Sequence, residues 1–298
     1  MSAGILKNSN VHNNSLNLFR LIASIQVLLG HLKYHLELTI PNFIQYPLNM
    51  FLGVPLFFVL SGFLIWDSIE RTSNFKIYFT KRILRIYPEL WVCLFFEILS
   101  IIIFYNRPVP LIDYSIFTFT QGTFMQFWTP DSLRAYGCGC PNGSLWTISV
   151  IVQFYIFIYV VRNWLNKREF KSWTLILLLL ILISLCGPII KSNLPTVINK
   201  LYTQTLIPYF WIFFLGVYVS KYKDILLDKI VKYWYVCGVV YLLVYFSGID
   251  IRASYGVLKC IVLTLFMFGF AYRYPQVNIK KDISYGIYIY IIWYLLIL

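Results

Sequence analysis

Nine apolar runs, each near the length needed to cross the ~30 Å hydrocarbon core of a bilayer, recur along these 298 residues with short basic clusters between them. They fall at about 16–38, 47–66, 86–105, 144–161, 172–190, 202–220, 233–248, 254–272 and 284–298. Runs of that length read as spanning helices, so the chain is expected to be all-α: a polytopic transmembrane helix bundle of about nine spans. Only 12% of residues are charged and 59% are hydrophobic. Soluble domains carry about 25% charged residues, so a soluble fold does not fit.

Orientation follows from the charges between the runs. Arg71, Lys76, Lys81, Arg82 and Arg85 follow the second run, and Arg162, Lys167, Arg168 and Lys171 the fourth. Lys221, Lys223, Lys229 and Lys232 follow the sixth, and Arg273, Lys280 and Lys281 the eighth. The alternate connections hold only Arg107, Arg134, Lys191, Lys200 and Arg252. Basic residues collect on the cytoplasmic side, so the N-terminus is expected to be cytoplasmic. The same distribution explains the net charge of +13 without a nucleic-acid partner. The polar N-terminal stretch has Lys7 as its one basic residue, and no small-residue cleavage site follows the first run, which is therefore expected to be retained.

No internal repeat divides the chain, and residues 1–298 read as one membrane domain. The long connection at about 106–143 is aromatic and leads into Gly137-Cys138-Gly139-Cys140-Pro141-Asn142-Gly143-Ser144. Long loops are often functional. Cys138 and Cys140 are too close for an ordinary disulfide and have no histidine nearby for zinc, so no metal is expected. Cys93, Cys186, Cys237 and Cys260 lie in apolar runs as packing residues. The ninth run stops at Leu298 without a polar tail, and loss of a final helix is one reading of that stop.

The first run contains Arg20 and His31. Ionisable groups are costly inside a bilayer and default to a functional reading. At 100° per residue an i, i+11 pair returns to within roughly 20° of the same face, about 16 Å apart along the axis. Arg20 and His31 therefore share a stripe. His31 is the candidate catalytic base, since an imidazole takes up a proton near neutral pH; an interhelical hydrogen bond is the structural alternative. His35, a turn later, reads as an interfacial residue, and Lys33 can snorkel.

Arg82 and Arg85, at i and i+3 before Ile86-Tyr87-Pro88, share a helix face and are placed to grip phosphates. Their alternative is a positive-inside anchor for lipid headgroups. Gly53 and Gly62 permit close helix approach, with Ser61 offering a hydroxyl in the bundle. Asn142-Gly143-Ser144-Leu145-Trp146-Thr147 opens the fourth run, with Gln153 and Tyr155 further along. Trp146 and Tyr155 are interfacial, packing or sugar-stacking aromatics.

Together these blocks resemble the integral-membrane acyltransferase family 3, whose members commonly O-acetylate bacterial surface polysaccharides. The arginine-to-histidine spacing of the first helix matches Arg20 and His31. The glycine–phenylalanine–serine-glycine helix matches 53–65, R-x-x-R with I-Y-P matches Arg82 to Pro88, and S-L-W-[ST] matches Ser144 to Thr147. The resemblance covers most of 16–161 and returns weakly at the last run. It implies acetyl-coenzyme A bound at the cytoplasmic face by Arg20, Arg82, Arg85 and Tyr87. The implied acceptor is a bacterial surface polysaccharide, such as O-antigen or capsule, or its lipid-linked precursor, met by Ser61, Ser144, Trp146, Gln153 and Tyr155. It places the protein in the bacterial inner membrane among its lipids.

The chain departs from the family at two places. Ile151, or Val152 beside it, stands where the family usually has a glutamate, and Ile291 where the last helix often has a histidine. Glu97 is a conceivable substitute for the missing acid, a protonated structural glutamate being the alternative. Two competing readings are a saccharide flippase or permease, with Arg20, His31 and Glu97 lining a path, and a truncated non-catalytic member.

Overall fold

The computed structural model describes residues 14–35, 39–72, 74–136, 141–249, 255–277, 279 and 282–290, with the backbone alone at Tyr34 and His35. Lys7, Cys138, Cys140, Ile291 and the remaining stretch to Leu298 lie outside the described residues, as does the His35 side chain.

Among the described residues every regular element is helical. The order is α1 (Leu16–His35), α2 (Asn42–Met50), α3 (Gly53–Arg71), α4 (Phe75–Phe104), α5 (Leu111–Gly122) and α6 (Trp146–Asn166). There follow α7 (Phe170–Leu185), α8 (Gly187–Asn193), α9 (Thr196–Thr203), α10 (Phe210–Lys221), α11 (Lys223–Lys232), α12 (Trp234–Ser247), α13 (Val257–Arg273) and α14 (Ser284–Ile289).

Among the described residues, four stretches are long and apolar enough to cross a bilayer: Asn42–Arg71, Phe75–Phe104, Gly143–Asn166 and Phe170–Asn193. The pair α11 and α12, bent by 74°, makes a fifth if taken as one span. Other apolar runs become shorter or more polar helices. The run at 202–220 is split between the end of α9 and the 12 residues of α10, because Pro208 has no N–H and disfavours helical geometry at Ile207. α1 reaches 20 residues but carries Arg20, Gln26, His31 and Lys33.

α10 is buried on nearly all sides, as expected for a helix that is apolar all round. It crosses α3 at Gly62 and Gly216. A Cβ on Gly62 would lie 2.0 Å from the Phe213 carbonyl oxygen, and one on Gly216 would lie 1.9 Å from that of Val59. Lipid supplies no hydrophobic drive between helices, so backbone approach of this kind, with its van der Waals contact, holds the pair. Phe154 stacks on Phe213 at 4.7 Å beside the crossing.

α1 packs against α3 at Gly53, whose amide donates to Gln26 Oε1 at 3.0 Å. That bond satisfies one of the free N–H groups at the start of α3. At the other end of α3, Asp67 and Glu70 pair with Lys223 and Lys221 at 3.2 and 2.9 Å, tying α3 to the α10–α11 junction. α14 is held by α4 and the 143–145 turn region: Tyr285 donates to the Ile86 carbonyl at 3.0 Å, and Asn142 Nδ2 to that of Ile289 at 3.1 Å.

Candidate functional site

A cavity of about 830 Å³, including the space at its mouth, opens where α1, α3, α4, α6 and α14 meet. Arg20, Arg82, Arg85 and Asp282 form its polar end, and Val54, Phe57, Thr147 and Tyr288 lie among its lining residues. Three arginines from two helices thus converge on one space.

Arg20 is nearly sealed, its side chain 11% exposed, and its Nη1 lies 2.5 Å from Asp282 Oδ2. Arg85 Nη2 stands 3.6 Å from the same oxygen. Arg82 donates to Ser68 Oγ at 3.1 Å, while its buried Nε has no hydrogen-bond partner. An orphaned guanidinium donor on a cavity wall is a place where an anionic oxygen fits. Asp282 is itself constrained, since its Oδ1 accepts the Ser284 amide at 3.2 Å and the Ser284 hydroxyl. Burial pushes the Asp282 carboxyl up, but Arg20, both Ser284 bonds and Arg85 outweigh it and hold the group below the ordinary carboxylate range.

His31 lines a second, more open hollow of about 710 Å³, solvent space at its mouth included, with Gln26, Gly30, Gly53, Pro55 and Tyr255. Val54 lines both cavities. The stripe expected from the sequence is thereby divided: Arg20 faces the cationic cavity, His31 the neighbouring one, and Val54 stands between. Tyr255 adopts φ +74°, a costly conformation for a bulky side chain, and leads directly into Gly256 at φ +81°.

Ser61 and Tyr155 line the arginine cavity. Tyr155 therefore sits with the cations rather than beside Trp146, because nine helical residues separate the two by about 13.5 Å. Ile151 also faces this cavity, so no carboxylate projects from that position of α6. Tyr87 lines neither of these cavities and packs against Trp91 at 5.9 Å.

Other expected site residues are engaged in holding the fold. Ser144 Oγ donates to Asn142 Oδ1 at 2.6 Å, and its carbonyl accepts the Tyr288 hydroxyl at 2.8 Å. Trp146 packs on Tyr209 at 5.3 Å and Phe58 at 6.4 Å. Gln153 accepts the Leu206 amide at 3.0 Å and donates to the Gln204 carbonyl at 2.9 Å, bracing the turn before α10. Glu97 is 2% exposed, both carboxylate oxygens lack a hydrogen-bond partner, and it lines neither cavity.

Asp282 was not among the residues singled out in the sequence. Its only local signal is the Asp-x-Ser pattern ahead of a helix start, which points to capping and not to an arginine partner. Thr147 lies in the block that opens the fourth run and Tyr285 and Tyr288 in the ninth run, and their cavity-facing sides emerge only from packing.

Apolar helices long enough to cross a bilayer, with three arginines and a histidine brought to mostly apolar hollows between them, define a multi-helix membrane protein. Residues 13–298 match the family described as an acyltransferase domain, and the chain belongs to that family; it is an acyltransferase. It is 28% identical over 314 residues to nodulation protein 10 of Rhizobium leguminosarum bv. viciae, covering 95% of this chain and 83% of the relative. It is 27% identical over 306 residues to an O-acetyl transferase of Shigella phage Sf6, covering 93% and 83%. A peptidoglycan O-acetyltransferase of Listeria monocytogenes is 23% identical over 169 residues, covering 52% of this chain and 25% of the relative. No solved structure matches the chain.

Proposed function

We propose that the protein is a bacterial inner-membrane O-acetyltransferase that moves an acetyl group from cytoplasmic acetyl-coenzyme A to a hydroxyl of a surface or lipid-linked saccharide. One observation carries the reading: the arginine cavity and the His31 cavity share Val54 as a lining residue. The charge pattern of the loops supports a cytoplasmic N-terminus, and the nine apolar runs a bundle of about nine spans. Saccharide acceptors are supported by the relatives named as peptidoglycan O-acetyltransferases.

Arg82 and Arg85 bind the donor's phosphates, with Tyr87 on the same helical turn, and Arg20 holds the deeper end. The acetyl group is carried past Val54 toward His31. The His31 imidazole takes the proton of the acceptor hydroxyl as its oxygen bonds to the thioester carbonyl carbon. The C–S bond breaks, and the departing thiolate receives that proton from the imidazolium. Ser61 and Tyr155 face the donor's path, while Trp146, Ser144 and Gln153 support the walls around it.

The test is consumption of radiolabelled acetyl-coenzyme A by purified protein in lipid nanodiscs. Activity is expected in the wild type and lost in Arg82→Ala/Arg85→Ala. In cells, surface-saccharide acetylation should disappear with the gene. A folded protein that neither binds nor consumes acetyl-coenzyme A overturns this reading and points to saccharide transport.

A further inference from the structure

We infer that Asp282 is the resident anion of the arginine cavity, holding Arg20 and Arg85 until the phosphates of an anionic donor take its place, and that its release loosens α14. This rests on the reading that donor phosphates bind at these arginines.

The geometry has two sides. Oδ2 faces Arg20 at 2.5 Å and Arg85 at 3.6 Å, while Oδ1 holds the Ser284 amide and hydroxyl at the start of α14. One carboxylate thus joins the cation cluster to the helix that carries Tyr285 and Tyr288 into the cavity. Arg20 is 11% exposed, and a sealed guanidinium needs an anion at all times. Asp282, at 26%, is the more open partner, placed to exchange with a ligand arriving from the mouth.

A carboxylate is also the poorer partner for this cluster. It leaves the buried Nε of Arg82 unsatisfied. Asp282 is shared by Arg20 and Arg85 while Arg82 bonds only the Ser68 hydroxyl, and this excess of guanidinium over carboxylate contacts suits an anionic ligand. A phosphate group offers three acceptor oxygens to several forks at once. Donor binding would therefore compete with Asp282 directly and remove the acceptor that holds Ser284.

The experiment titrates coenzyme A, as a non-acylating probe, into full-length protein in nanodiscs. Asp282→Asn keeps an oxygen for Ser284 and removes the charge, and about three- to tenfold tighter binding is expected. A second measurement needs no variant: hydrogen exchange across Ser284–Ile289 in the wild type should become faster on binding coenzyme A. A folded Asp282→Asn protein with unchanged or weaker affinity, or an α14 protected by the ligand, overturns the inference. Wild-type protein that binds no coenzyme A at all defeats the donor reading itself, which separates the two failures.

Discussion

Arg20 and Asp282 stand 262 positions apart in the chain, yet their side chains meet at 2.5 Å. The contact lies at the polar end of the cavity and joins the first helix to the segment leading into α14. Because the Asp282 carboxyl is held below its ordinary range, the sign of its pH dependence is defined. Its stabilisation is complete above the unfolded carboxylate pKa of about 3.9 and is lost as pH falls through the lower folded value. Melting curves in nanodiscs from neutral to acid pH should show Asp282→Asn less stable at neutral pH. The gap from wild type should close at the acid end; a gap that widens there would refute the linkage.

His31 is the group expected to carry proton transfer. His31→Gln should lower turnover by about 10²- to 10⁴-fold, with coenzyme A binding unchanged because the arginines lie in the neighbouring cavity. Turnover and affinity measured on the same preparation check this, and normal turnover would remove His31 from the mechanism.

Val54 is the wall common to both cavities. Val54→Phe should block acetyl transfer while donor binding persists, and Val54→Ala should raise the relative rate with propionyl- over acetyl-coenzyme A. A size preference indifferent to both substitutions would mean that the acyl group does not pass this residue.

Gln153 spends its amide on the turn before α10. Gln153→Ala should cost about 1 kcal/mol in stability, the worth of hydrogen bonds to partly buried backbone groups, with little change in the acceptor KM. A large KM effect at wild-type stability would return Gln153 to the substrate site.

The α3–α10 crossing leaves no room for side chains. Gly216→Val should destabilise by about 1–3 kcal/mol or more, since the Val59 backbone must move. Unfolding in detergent measured by intrinsic tryptophan fluorescence tests it, and an unchanged transition would show that the crossing relaxes freely.

Parts of the candidate site were legible along the chain as local patterns. Arg82 with Arg85 at i, i+3 depends only on helical geometry, whereas the stripe of Arg20 and His31 is divided between two cavities once the helices pack. Gly62 was recognisable as a close-approach position, though not that Gly216 would be its counterpart. Trp146 and Tyr155 lie on the same helix, but only neighbouring helices decide which side of each meets a cavity. The missing acid near Ile151 was visible as an absence. That a carboxylate enters the same cavity as Asp282, from the other end of the chain, was not.

Sequence alone determined the class: helices, apolar enough for lipid, with basic clusters between them. Run length and charge distribution are properties of contiguous residues, and a bilayer acts on them segment by segment. Tertiary structure decided that Arg20 pairs with Asp282 and that Val54 stands between the arginines and His31. It also decided that Gln153 and Ser144 brace walls. An ion pair across 262 residues, or a wall shared by two cavities, exists only once separate helices have packed. No local periodicity encodes which faces meet.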